Sequence, residues 1–318
     1  MSTAIPTTDP ATKGRPAPAP RSGGRGTDRA QAERRLGIKL AAPAAILMIA
    51  VTAFPILYAI WLSLQRYDLR NPGDNAFIGL DNYALVLTDS TWWTAVGSTT
   101  LITVVSVALE LVIGLGFALV MHRAFFGRRT VRTAILVPYG IITVISAFAF
   151  AFAVAPDTGF LATFLPGEPD PLSSTAGSFA TIIATEVWKT TPFMSLLLLA
   201  GLATVPEELQ EAAKVDGATA WQRLWKVTLP NMKGAIMVAL LFRALDAFRI
   251  FDTVYVQTAG ANNTQTISGV GYNTLVSRVN LGLGSAVSML LFLMIILIAI
   301  VFVKGFKTNL GTVKGANG

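Results

Sequence analysis

Six ionisable residues stand inside otherwise apolar stretches of this sequence, and their chemistry needs an explanation. Glu186 and Lys189 share one stretch; Arg243, Asp246, Arg249 and Asp252 share another. Placing each near the centre of a bilayer costs roughly 3 kcal/mol on insertion scales, so each must be paired or turned to a polar interior. Each stands three residues from an opposite charge, a spacing that brings side chains together on one helix face. Glu110, in a third apolar stretch, has no basic neighbour in sequence and must look to Arg243 or Arg249 across a bundle. Two uses fit. One is a ladder of internal ion pairs that fixes helix packing. The other is a polar path for a hydroxyl-bearing solute, whose hydroxyls need planar donors and acceptors beside an aromatic ring, here Trp188 or Tyr255. The candidate path residues are Glu110, Glu186, Trp188, Asp246, Arg249, Asp252 and Tyr255. An ion-coupled transporter could use the same charges as its ion site, although alternating signs on one helix favour salt bridges over a titrating chain.

Enzyme chemistry finds little to work with. The chain has no Cys and one His, His122, which stands beside Arg123, so thiolate catalysis, most hydrolase triads and the usual zinc sites are excluded. Neither a catalytic constellation nor a metal site is expected. No G-x-x-x-x-G-K-[ST] loop occurs, so the chain has no phosphate loop of its own for ATP. Gly269-Val270-Gly271 lacks the third glycine, the strand and the helix of a dinucleotide loop.

The elements that must hold these charges are membrane elements. Of 318 residues, 53% are apolar and only 14% charged, against about 25% in soluble chains. Mean hydropathy is +0.58. Six apolar stretches are long enough to cross a bilayer as helices, which takes about 20 residues. They cover 39–64, 95–121, 133–155, 178–203, 233–256 and 285–303. Residues 1–37, rich in Pro, Gly, Ser, Thr and Arg, read as a disordered tail. The apolar domain then runs over 38–308, and a second tail over 309–318. No apolar core lies near Met1, so the first tail is expected to stay on the side of synthesis.

Basic residues orient the spans. The two tails and the loops 122–132 and 204–233 hold 19 Lys and Arg; the opposite face holds Arg66, Arg70 and Arg278. By the positive-inside rule both termini are expected in the cytoplasm, and the loops 65–94, 156–177 and 257–284 outside. The net charge of +7 is thus a topology signal, and no nucleic-acid partner is expected.

The stretch 205–230 is patterned like two short helices. Pro206 suits a first turn, Glu207 and Glu208 favour the positive end, and Gly217 can take the left-handed turn that closes the first helix. Thr219 and Gln222 form a capping box for the second, whose apolar edge is Trp221, Leu224, Trp225 and Val227, with Leu229-Pro230 expected to stop it.

Glu211-Ala212-Ala213, then Asp216-Gly217-Ala218, then Leu229-Pro230 resembles the EAA signature of binding-protein-dependent ABC importer permeases. The Phe54-Pro55 segment, Gly79-Leu80-Asp81-Asn82-Tyr83, and the stretch QTAGANNTQTISGVGYNTLV are similar to the carbohydrate-uptake subgroup of type I importers. Thr258-Ala259-Gly260-Ala261-Asn262 departs from that subgroup's Thr-x-Gly-Gly-Pro. The resemblance implies an all-α membrane protein of six transmembrane helices with cytoplasmic coupling helices at 206–228. Glu211, Ala212, Ala213, Asp216, Gly217 and Ala218 would dock on a cytoplasmic ATPase. It also implies a homologous second permease, two ATPase subunits that bind ATP and Mg, an extracytoplasmic sugar-binding lipoprotein, and a bacterial plasma-membrane location. No cofactor would be bound by this chain. Asn262, Asn263, Thr264 and Gln265 would belong to the receptor-docking loop, and the cargo would be a sugar, for example the disaccharide trehalose.

Overall fold

A computed structural model describes residues 25–123, 127–156, 158–161 and 170–305. The expected tail 309–318, residues 1–24 and part of the 156–177 loop lie outside the described residues. The chain divides into two compact units, Met1–Ile56 and Leu57–Gly318.

Helix α1 spans Arg25–Ser63, so residues 25–37 are helical where a disordered tail was expected. Within the first unit, α1 from Leu40 onward is almost wholly bare apolar surface: Leu40, Ile46, Leu47 and Met48 are all exposed. Such a face belongs in lipid or against another chain.

The second unit starts with a two-stranded hairpin, β1 (Gln65–Arg66) and β2 (Ala76–Phe77), then α2 (Asp81–Thr88) and α3 (Ser90–His122). Asp89 caps α3 by accepting from the Thr91 amide. The third expected span is broken. It consists of α4 (Arg128–Leu136) and α5 (Thr143–Val154), bent by 95°. Pro138 and Gly140 stand in the tight turn between them, and neither suits a helix interior. Helix α6 (Thr175–Leu202) keeps Pro192 inside it, and the Thr190 and Thr191 hydroxyls bond the carbonyls one turn back. The elbow follows as α7 (Glu207–Val215), α8 (Ala220–Arg223), a wide turn over Leu224–Thr228 and α9 (Leu229–Asn231). Leu229-Pro230 therefore does not stop the second helix; it runs on to Asn231.

The fifth span is interrupted too. Helix α10 (Lys233–Ala247) ends before α11 (Asp252–Gln257), and the chain at 248–251 is unwound without a Pro or Gly to cause it. The segment expected as an outer loop contains α12 (Ile267–Tyr272), continued by a wide turn to Ser277, and α13 (Leu281–Gly305) forms the last span. The fold is all-α; among the described residues four apolar helices are long enough to cross a membrane, and two bent pairs, 129–140 with 143–154 and 220–231 with 233–247, bring the count to six spans when each pair counts as one.

Helices α3 and α6 form the spine. Inside lipid no hydrophobic force drives helices together, so close packing must do it. Gly114 lets Met194 sit where a Cβ would meet its Cγ at 3.0 Å, and Gly201 faces Ala235 so closely that a Cβ would overlap it at 2.5 Å. Met194, Leu198, Met232 and Ala239 are sealed around this contact. Gly116, on the same helix, meets nothing within 4 Å. At the other end, hairpin and α13 are clipped together: the Leu69 amide bonds the Val279 carbonyl at 3.1 Å, and the Gly282 amide bonds Tyr67. Asn82 braces the same corner through the Ser63 and Gln65 carbonyls.

Candidate functional site

The intramembrane charges form a knot at one end of the expected ladder and an open basin at the other. Arg243 is 1% exposed. Its Nε donates to Glu110 Oε2 at 2.6 Å, Nη2 to Glu110 Oε1 and to Glu186 Oε2 at 3.0 Å each, and Nη1 to Asp246 Oδ2 at 2.9 Å. One guanidinium thus ties α3, α6 and α10 together. Thr190 donates to Glu110 at 2.7 Å and Thr253 donates to Glu186, which brings α11 into the same network. Taking such charges out of water is expensive, and pairing plus further hydrogen bonds is what makes the cost tolerable.

Of the four expected i, i+3 pairs, only Arg243–Asp246 forms; among the described residues Glu186–Lys189, Asp246–Arg249 and Arg249–Asp252 make no ion pair. For the pairs of Arg249 the reason is the break at 248–251, while Glu186 on the continuous α6 is taken up by Arg243 and Thr253. Arg249 and Asp252 are exposed, as is Asp246 on its outer side. With Lys189 they border a cavity of about 190 Å³ beside the knot. Unwound backbone at membrane depth is tolerated where it is buried in protein or lines a cavity, and the 250–253 segment does line this one.

The expected path residues separate accordingly. Glu110 is fully buried in the knot and Glu186 nearly so, Asp246 spans knot and basin, and Arg249 and Asp252 belong to the basin. Tyr255 stacks on Phe251 at 5.2 Å, one turn beyond the basin. Trp188 is misplaced in the sequence reading. Two residues from Glu186 on α6, it points away and packs on Phe150 at 5.5 Å, bordering an apolar cavity with Ile113 and Phe117. Thr190, Thr253 and Phe251 were missed; for Thr190 the available signal was its place one turn beyond Glu186 on α6.

The elbow is a self-braced object. Gly217, at φ +77°, closes α7 with both bonds of a Schellman turn: its own amide to Lys214, and the Ala218 amide to Ala213 at 2.9 Å. Pro206 is the N-cap and stands just outside the first turn. Thr219 and Gln222 form the reciprocal capping box. Gln210 Nε2 donates to Thr228 Oγ1 at 2.9 Å, and Arg223 donates to the Ala218 carbonyl, so the two short helices are held at a set angle. Glu211, Ala212 and Asp216 are exposed, and Ala213 and Ala218 half-buried. Trp221 and Trp225 meet edge to face at 5.6 Å with both rings bare.

In the 257–284 segment, Asn262 donates to the Leu172 carbonyl and Ser178, and the Asn263 carbonyl accepts from Ser98. Thr264 is buried and bonded to Thr258, so its side chain frames the loop and presents nothing outward; Asn263 is exposed and Gln265 half-buried.

Residues 110–310 match the family of binding-protein-dependent transport system inner membrane components. This chain belongs to that family. The permease is 58% identical over 275 residues to the trehalose transport system permease protein SugA of Mycobacterium tuberculosis, covering 86% of this chain and 90% of that one. It is 36% identical to the trehalose/maltose transport system permease protein MalF of Thermococcus litoralis, over 86% of this chain and 94% of the relative. Its fold resembles a chain in the crystal structure of a bacterial alginate ABC transporter in complex with an alginate pentasaccharide-bound periplasmic protein, with a TM-score of 0.74 at 18% identity over 87% and 96% of the two chains. It is therefore a multi-pass membrane subunit of a binding-protein-dependent transporter, and its relatives are named as transport proteins, not enzymes.

Proposed function

We propose that this chain is one of two permease subunits of an ATP-driven importer for a sugar, a disaccharide such as trehalose. The observation that carries the reading is the braced elbow. A stiff helix pair whose Glu211, Ala212 and Asp216 face is bare passes on a displacement that a plain loop would absorb. The partners on this reading are a homologous permease of the SugB kind, two ATPases of the SugC kind that bind ATP and Mg, and a sugar-binding lipoprotein of the LpqY kind. Glu211, Ala212, Ala213, Asp216, Gly217 and Ala218 seat in the ATPase cleft, with both termini in the cytoplasm. Asn262, Asn263 and Gln265 stand on the receptor side, on a loop that Thr264 helps to hold in shape. The basin of Lys189, Asp246, Arg249 and Asp252 lines the path. The 58% identity to a trehalose permease supports the choice of cargo.

An ion-coupled mechanism through the same charges is less well supported, because Arg243 already pairs Glu110, Glu186 and Asp246 and leaves Asp252 as the single carboxylate of the group without an ion pair among the described residues. Uptake of labelled trehalose by vesicles holding the purified complex and internal ATP separates the two. It should survive an uncoupler and stop when the ATPase subunits are omitted; the reverse pattern overturns the proposal.

A further inference from the structure

Beyond the charged basin lies a second cavity, of about 210 Å³, and Phe251 borders both. Three rings shape one side of it. Phe251 and Tyr255 lie within 27° of parallel at 5.2 Å, and Tyr272 meets Phe251 at 5.0 Å and Tyr255 at 5.3 Å with a 68° tilt. Rings set at such angles make a cup. Tyr255 stays 50% exposed and Tyr272 36%, so aromatic surface is left bare. Gln265, Asn273 and Ser277 line the same cavity, and their side chains make no hydrogen bond among the described residues. The cup is firmly mounted: Thr266 caps α12 through the Gly269 amide, and the Ile267 amide donates to Thr99 of α3 at 3.1 Å. Tyr272 closes α12 next to a wide helical turn, a distortion frequent at functional sites.

A sugar ring carries a C–H face that suits the negative face of an aromatic ring, and a rim of hydroxyls that must be bonded once water is stripped away. We propose that the cup receives one sugar ring on its way to the charged basin. Tyr255 and Tyr272 stack on its C–H face, and Gln265, Asn273 and Ser277 bond its hydroxyls. This rests on the sugar-import reading above. The space takes a single ring, so a disaccharide enters end first, with Phe251 between its leading ring and the basin.

The test uses the complete importer in proteoliposomes with saturating sugar-loaded receptor, and reads sugar delivered per ATP hydrolysed. Tyr272→Ala and Tyr255→Ala should each lower that ratio roughly 3- to 10-fold, the worth of one aromatic contact. Tyr272→Phe and Tyr272→Trp, which keep a ring, should restore most of it. A disaccharide bearing a photoreactive diazirine should label residues between 251 and 277 in the wild type and lose that labelling in the Ala variants. An unchanged ratio in both Ala variants overturns the cup. So does a Phe variant as impaired as Ala, which would assign the effect to the phenol, or a loss of complex recovery alone, which would make the rings a contact for the second permease. No sugar uptake by the wild type would instead overturn the import reading itself.

Discussion

The Arg243 knot and the cytoplasmic elbow solve the same problem in opposite ways. Each fixes helices at set angles with charged and polar groups. The knot directs four of the five N–H donors of its guanidinium to three carboxylates from three helices, and of its members Asp246 alone reaches the basin. In the elbow the bracing is done by six bonds within residues 210–228, and the Glu211 face with the two tryptophans is left bare. On the import reading proposed above, a displacement applied to the elbow would reach a bundle whose centre is tied, and would be taken up at the turn 248–251 and at the bends between α4 and α5 and between α9 and α10.

The strongest way to break this contrast is to empty the knot. Arg243→Met leaves Glu110 and Glu186 buried without a counter-charge, and should lower stability by about 3–5 kcal/mol, seen as a lower unfolding midpoint in detergent. Adding Glu110→Gln and Glu186→Gln to that variant should recover most of the loss; if it does not, the guanidinium is needed for more than neutralisation. On the elbow the expected effect is on transport and not on the fold. Gly217→Val strains the left-handed turn by roughly 1–2 kcal/mol, and should leave insertion near normal while uptake and receptor-stimulated ATP hydrolysis fall tenfold or more. Transport at the wild-type rate would remove the elbow from the coupling route.

Smaller effects sharpen the boundary between knot and basin. Asp246→Asn and Arg249→Gln do not share an ion pair, so their effects on uptake should be independent and the double variant should show their product. Rescue in the double variant would mean that the two residues pair in another conformation. The smallest effect is on pH. In the hairpin region Arg70 holds the Asp68 carboxyl down, to about 2 from an ordinary value near 3.8, through a direct hydrogen bond. A depressed carboxylate stabilises above its unfolded value and loses that contribution as pH falls toward 2. Unfolding midpoints of wild type and Asp68→Asn should therefore differ by the same small amount from pH 5 to 8 and converge only in strong acid.

What sequence could show follows from distance along the chain. The elbow was legible because its signals are local: the capping box spans four residues, and Gly217 announces its own left-handed turn. The spans were legible from length and apolarity. In the knot, Arg243 meets a carboxylate 133 residues away, and the local i, i+3 spacing pointed to partners that the helix break then separated. That break carries no Pro or Gly, so no residue at 248–251 betrays it. Trp188 shows the same limit from the other side, since being near Glu186 in sequence placed it across the helix in space.

The clip between the first and last loops sets an order of events during synthesis. Asn280 reaches back 212 residues to Asp68, and Leu69 bonds Val279. At roughly 5–20 residues per second the ribosome needs about 10–40 s to supply the second half of that fastening. Until the final helix inserts, the hairpin waits unlatched, and a chain cut short before residue 279 would reach the membrane with its far side undone.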